Sequence, residues 1–277
     1  MGTINRETNI NIREEDLCSD RIWREDHRIR AYETDLHGSL SIPSILNYLQ
    51  EAAANHAHAL GVSTYQIMPQ NYTWVLSRLA LRMDSHPRWG DPIHVYTWHS
   101  GFRGPFALRD FIVTGRDHQC IGAAVSAWLV IDVKTRSPLR RVPSVLDKLK
   151  PADIEHPVDN ALGKLQRSEG HDQEETFSVR YGDLDLNRHV NNVNYIGWIV
   201  SSLSPEILNT FVLMELEINY ISEAFAGDEI LARYSKTDES PLSLFHVLIR
   251  KSDKRELLRA KTAWRYREQA GPLKSRN

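Results

Sequence analysis

The sequence predicts an α+β protein made of two tandem copies of one unit, each a long helix packed on a curled antiparallel sheet. Three observations carry this prediction. They are a degraded internal repeat, a mostly apolar helical segment early in each copy, and a run of alternating strand segments after it.

The repeat has three anchors in order. Arg30 to Leu36 reads R-A-Y-E-T-D-L and Arg180 to Leu186 reads R-Y-G-D-L-D-L, 150 positions apart. On that register Asp35 matches Asp185, Ile29 matches Val179 and Tyr48 matches Trp198. Trp74-Val75-Leu76 and Gly90-Asp91 match Phe211-Val212-Leu213 and Gly227-Asp228 at an offset of 137, and Ala127-Trp128 matches Ala263-Trp264 at 136. Ordered anchors with near-constant spacing indicate duplication.

The elements follow in the same order in both copies. Phe177, Val179 and Tyr181 alternate with Ser178 and Arg180, the period of a half-buried strand. Residues 42–60 place Ile42, Ile45, Leu46, Leu49, Ala52, Ala53 and His56 at helical spacing, with Pro43 in the first turn and Gly61 to end it. The counterpart, about Val193 to Ser204, is expected to stop at Pro205. Leu79, Leu81 and Met83 alternate with polar or small residues, as do Met214, Leu216, Ile218 and Tyr220. Further strands are predicted at 92–100, 106–115, 120–132, 229–235, 242–251 and 256–266. Residues 134–173 hold Pro138, Pro143, Pro151 and Pro157 and many charges, and read as a linker crossing the surface, with a short helix at Val145 to Leu149. The layout is a polar tail over 1–20, a first half over 21–133, the linker, a second half over 174–268 and a polar tail over 269–277.

Composition removes several classes of function. Of 277 residues, 41% are hydrophobic and 25% charged, with a net charge of −2, which gives no electrostatic ground for nucleic-acid binding. No apolar run nears the roughly 20 residues that span a bilayer, so no stable membrane insertion is expected. The first 20 residues have no apolar signal core and carry acidic residues between Glu14 and Asp20, so a cytoplasmic location is expected. Cys18 and Cys120 cannot build a disulfide framework or a cysteine-rich zinc site, and a spectator role is expected for both. A G-x-S-x-G elbow, a phosphate-binding glycine loop and an H-E-x-x-H motif are all missing, so neither a metal nor a cofactor is expected.

One polar cluster stands out. Tyr181 to Tyr195 reads Y-G-D-L-D-L-N-R-H-V-N-N-V-N-Y, where a strand ends and the long helix begins. Turn and cap chemistry accounts for Asp183 and part of Asn191, Asn192 and Asn194. It accounts less well for Asp185, Asn187 and His189 together. In the first copy Asn187 corresponds to His37 and His189 to Ser39, so only the second copy holds the Asp-x-Asn-x-His set. Such asymmetry is what one retained active site would leave behind. Glu223, beyond the alternating strand that ends at Tyr220, offers a carboxylate, and its counterpart is His86.

The run from Asn187 to Trp198, N-R-H-V-N-N-V-N-Y-I-G-W, resembles the signature of plant and bacterial acyl-ACP thioesterases, over about residues 24 to 268. That resemblance implies two tandem hotdog units. It implies hydrolysis of a fatty acyl thioester on acyl carrier protein, with Asp185, Asn187 and His189 at catalytic positions. Tyr220 to Ala224 resembles the segment supplying the acidic residue, which puts that role on Glu223. Many plant members carry a cysteine next, where this chain has Ala224, so attack by water without a cysteine acyl-enzyme is expected. The first half is expected to hold the acyl tail, with Ile45, Leu49 and Trp74 lining it. Arg136, Arg140, Arg141, Lys148 and Lys150 are a candidate basic dock for the acidic carrier. Backbone N–H groups opening the second long helix are candidate oxyanion donors. The alternatives are an acyl-CoA thioesterase, a hotdog hydratase (which resembles Asp-x-Asn-x-x-His, one residue longer) and a silent acyl-binding protein. Either a monomer or a homodimer fits.

Overall fold

The structure, a computed structural model, describes residues 21–139, 143–158, 162–166 and 170–267. They fall into two compact units. One takes the described residues of 1–40, 48–75 and 85–159, and the other those of 41–47, 76–84 and 160–277.

In the first unit β1 (Trp23–Arg28) leads to the helix α1 (Ile42–Ala59), whose residues up to 47 count with the other unit, and a short helix α2 (Thr64–Ile67). Strands β2 (Tyr72–Met83), whose residues from 76 on count with the other unit, β3 (Pro92–Arg103), β4 (Phe106–Thr114) and β5 (Cys120–Asp132) follow. The order β1-β3-β4-β5 is antiparallel throughout. Ile45, Leu49, Ala52, Ala53 and His56 are the buried stripe of α1, as their spacing predicts, and Gly61, with φ of 75°, supplies the left-handed residue after its end.

The second unit repeats the plan with β6 (Gln173–Ser178), α3 (Asn192–Ser201), β7 (Phe211–Tyr220), β8 (Glu229–Glu239), β9 (Leu242–Arg250) and β10 (Glu256–Tyr266). Its order is β6-β8-β9-β10-β7, antiparallel, with Arg78–Arg82 of β2 paired to Glu215–Asn219 of β7. Helix α3 packs on β8 and β9. It ends at Ser201, and Pro205 does not act as a terminator. Instead it opens a further short helix, α4 (Pro205–Thr210), because proline suits the first helical position and the Ser204 hydroxyl caps Ile207 N–H at 3.4 Å.

The hydrogen bonding repeats with the sequence. Ile29 N–H donates to Asp91 C=O and Gly90 N–H to Ile29 C=O. Val179, Asp228 and Gly227 do the same in the second unit. Gly90 (φ 79°) and Gly227 (φ 85°) hold the left-handed turn that these bonds require. Trp128 Nε1 donates to Ser126 Oγ at 2.8 Å and Trp264 Nε1 to Thr262 Oγ1 at 2.7 Å, so the indole keeps its partner although the hydroxyl residue has changed.

The proline-rich segment after β5 does more than cross the surface. Leu146, Leu149, Ala152 and Leu162 are buried. Leu146 and Leu149 pack with Val62, Ile67 and Val130, while Ala152 covers Tyr96, Trp98 and Ile112. Its short helix is the 3₁₀ turn Ser144–Lys148. Two-sided burial of β4 follows, since α1 lies on one face and this segment on the other. Among the described residues no helix is long and apolar enough to cross a membrane.

Buried His246, whose Nε2 lies 2.9 Å from Thr262 Oγ1, is held neutral by burial, with its pKa pushed down to about 3. The unfolded chain therefore binds a proton that the folded chain refuses at pH below about 6.5. Stability should fall as pH drops from there toward 3. In denaturant titrations at pH 7 and 4.5, His246→Phe should lose less stability over that interval than the parent; an equal loss would refute the assignment.

Candidate active site

The residues singled out from sequence, Asp185, Asn187, His189 and Glu223, all lie in the second unit. The turn that presents the first three is built by Asp185. Its Oδ1 accepts Asn187 N–H at 2.8 Å and His189 N–H at 3.2 Å, and Asn187 Nδ2 lies 3.4 Å from Oδ2. Asp185 N–H donates to His189 C=O at 2.8 Å, closing the loop. The first unit forms the same turn: Asp35 Oδ1 accepts His37 N–H at 2.9 Å and Ser39 N–H at 3.0 Å, and Asp35 N–H donates to Ser39 C=O at 2.8 Å. The aspartate is thus architecture common to both copies, and Asn187 and His189 are what the second copy adds.

Glu223 meets this turn from the loop after β7. His189 Nδ1 lies 3.4 Å from Glu223 Oε1, with the two side chains 22% and 33% exposed, open enough for water to reach them. The backbone holds the pair in register. Val190 N–H donates to Ala224 C=O at 3.1 Å, and Ala224 N–H donates to the Tyr195 hydroxyl at 2.9 Å, so the residue after each partner is tied down. Arg250 Nη1 donates to Glu223 C=O at 3.4 Å and pairs with Asp228 Oδ2 at 3.3 Å. Phe225 sets its ring at 84° to the His189 imidazole, centroids 5.2 Å apart. Sequence reading missed Tyr195, Arg250 and Phe225. A helix tyrosine and a strand-end arginine look ordinary until the loops converge.

Helix α3 begins beside this turn, and two of its first N–H groups are already bonded. Asn191 Oδ1 accepts Val193 N–H at 3.0 Å, and Asn191 C=O accepts Asn194 N–H at 2.9 Å. The Asn191 side chain and carbonyl thereby each engage one of the amides expected to face an oxyanion. Asn187, exposed on the turn, offers a side-chain amide two residues before the histidine.

The remaining sequence candidates lie elsewhere. Ile45 and Leu49 are buried on α1. Trp74 is half-buried, donates Nε1 to Val62 C=O at 2.8 Å and packs against the Val62–Ile67–Leu146 cluster. Arg136, Lys148 and Lys150 are exposed, and Arg140 and Arg141 lie outside the described residues. The Cys120 thiol forms no disulfide among the described residues and donates to Gly122 C=O at 3.5 Å, and Cys18 lies outside them.

A duplicated α+β chain whose second copy brings His189 and Glu223 together at the turn before its long helix is thus defined. The chain belongs to the acyl-ACP thioesterase family. The acyl-ACP thioesterase N-terminal domain matches residues 20–149 and the C-terminal domain matches residues 166–266. A palmitoyl-acyl carrier protein thioesterase of Cuphea hookeriana is 31% identical over 262 residues, which cover 88% of this chain and 62% of the relative. The chain thus spans less than two thirds of that relative's length. Among solved structures, the 12:0-ACP thioesterase from Umbellularia californica superposes with a TM-score of 0.82 at 25% identity, over 90% of this chain and 99% of that one. An acyl-ACP thioesterase from Bacteroides thetaiotaomicron gives 0.78 at 26%, over 92% and 100%. The two units are hotdog units.

The duplicated turn makes a stability test. Gly38 sits at φ 75° where the second copy has Arg188 at φ 62°. A non-glycine residue there costs roughly 1–2 kcal/mol, partly offset by glycine's greater freedom in the unfolded chain. Arg188→Gly should therefore raise stability by about 0.5–1 kcal/mol, read from denaturant midpoints. Asp35→Ala and Asp185→Ala should each lower it by about 1 kcal/mol or more. A neutral result for either aspartate would contradict its role in the turn.

Proposed function

We propose that this protein hydrolyses the thioester of a fatty acyl chain carried on acyl carrier protein, releasing the free acid and the carrier thiol. The observation that carries the reading is the His189–Glu223 pair, 3.4 Å apart beside Asn187 and present in only one of two otherwise parallel turns. Family membership supports the substrate class, and the named activities of the relatives agree with it.

In this reading Glu223 is the general base. A water between Glu223 and His189 gives a proton to the carboxylate as its oxygen attacks the thioester carbon. The carbonyl oxygen takes up negative charge and is met by the Asn187 amide, the donor best placed for it. The C–S bond then breaks, and the proton on Glu223 passes to the departing thiolate. Asp185 is a positioning residue, since its carboxylate is engaged with backbone N–H groups. No cysteine intermediate is needed, since Ala224 follows the acid. The first half, residues 21–133, holds the acyl tail, with Ile45 and Leu49 along the apolar face of α1 and Trp74 bracing the wall, while Arg136, Lys148 and Lys150 offer positive charge to the acidic carrier. In this reading the enzyme works in the cytoplasm without metal or cofactor, as a monomer or a homodimer.

Purified protein incubated with acyl-ACPs of graded length should release thiol, and the same acyl groups on CoA should react more slowly. His189→Ala and Glu223→Gln should each cut turnover by about 10²–10⁴-fold with little change in melting temperature. Activity confined to CoA esters would replace the carrier, and tight acyl binding without thiol release would replace the enzyme by a binding protein. Ile45→Trp or Leu49→Trp should shift the preferred chain toward shorter acyl groups; an unchanged length profile would remove them from the tail site.

A further inference from the structure

The first unit buries a cation for which the hydrolytic site has no use. Arg109 on β4 is 8% exposed, and burial lowers its pKa only to about 10, so it stays charged at neutral pH. Its Nη1 donates to His56 Nδ1 at 3.0 Å and to Thr97 Oγ1 at 3.1 Å. Both partners are neutral: burial, reinforced by the Arg109 charge, holds the His56 pKa down to about 3. The carboxylate that acts on Arg109 is Asp110. As the next residue along the strand it faces the other side of the sheet, where its Oδ2 lies 2.7 Å from His156 Nδ1. The fork of Arg109 has five N–H groups, and Nη1 supplies only two of them.

An unpartnered acceptor lies beside this donor. His99 pairs directly with Arg109 across β3 and β4, so the two side chains share a face. Its Nδ1 is 3.0 Å from Leu108 C=O, which can only accept, so Nδ1 carries the proton and Nε2 the lone pair. Burial keeps the ring neutral, with its pKa lowered to about 4. His99 is 3% exposed, and Nε2 is buried with no hydrogen-bond partner. A buried cationic donor next to an orphaned neutral acceptor matches one group closely: a hydroxyl, which accepts from the guanidinium and donates to the imidazole.

The duplication shows that the fold does not need this arginine. Arg109 pairs with Ser126, which accepts Trp128 Nε1, whereas the residue paired with Thr262, which accepts Trp264 Nε1, is the buried Leu244. The second copy fills the position with a leucine. His56, in turn, stands seven residues beyond Leu49 on the buried stripe of α1, about 10 Å along the helix, so the polar group lies past the apolar stretch.

We propose that Arg109, His99 and Thr97 form a subsite for a hydroxyl group on the acyl chain, making hydroxylated acyl groups a preferred substrate class. This rests on the reading that the first half holds the acyl tail. The hydroxyl bridges Arg109 and His99 Nε2, and a saturated chain at the same place leaves His99 Nε2 without a partner and adds none to Arg109 beyond His56 and Thr97.

The test uses the full chain and matched acyl-ACPs of one length, saturated or carrying a single hydroxyl whose position is moved along the distal half. At one position the wild type should favour the hydroxylated substrate in kcat/KM by about tenfold or more. Arg109→Leu, the change the second copy already accommodates, should bring that ratio to about one or below while still melting cooperatively. Calorimetric binding of the free hydroxy acids and their parent acids to the wild type gives a readout without hydrolysis and should show the same preference. Hydrolysis with no preference at any position, or a preference untouched by Arg109→Leu, overturns the subsite and leaves the thioesterase reading intact. Preferential binding of a hydroxy acid without thiol release supports the subsite and defeats the thioesterase reading. Absence of any preference in both assays would show that the orphaned acceptor is met by water only.

Discussion

A single carboxylate interaction underlies the arrangement of this protein. In each unit an aspartate oxygen accepts two amide N–H groups from the turn that joins a strand to the long helix. A charged acceptor shared by two backbone donors makes a turn with little freedom. The residues two and four positions after the aspartate therefore leave the backbone at fixed places. In the first unit those positions hold His37 and Ser39, and in the second Asn187 and His189. Chemistry is thus a matter of what is mounted on a turn whose geometry is already set.

The other half of the site depends on a similar economy. Glu223 is located mainly by its neighbour Ala224, whose carbonyl and amide are bound to Val190 N–H and the Tyr195 hydroxyl. Tyr195 is buried, and burial holds its pKa above the usual phenol value, so it remains a neutral partner. His189 and Glu223 stay partly open to water while Tyr195 and Ala224, which hold the backbone beside them, are buried, a division common in sites set on rigid supports.

Much of the architecture was legible because strand periodicity and duplication reinforce each other. Strands β4 and β5 and the second copy's β9 and β10 lie within a residue of the segments predicted from alternation, and α1 begins at Ile42 as its stripe implies. Asn187 and His189 stood out as an asymmetry between copies, and the structure brings Glu223 to the histidine. What stayed hidden depends on long-range packing. Pro205 carries the same local signal whether it ends one helix or begins the next. Leu146 and Ala152 are dispersed among prolines and charges, so their burial has no periodic trace. Arg250, Tyr195 and Arg109 are recognisable only through contacts far apart in sequence.

Ala224 has a consequence for how such chains diverge. It is fully buried, and its backbone does the holding, so the side chain contributes nothing beyond fitting. Alanine and cysteine are close enough in size to exchange there without disturbing Val190 or Tyr195. The limit on divergence at this position is therefore volume, since a larger side chain would press on the backbone that Val190 and Tyr195 hold.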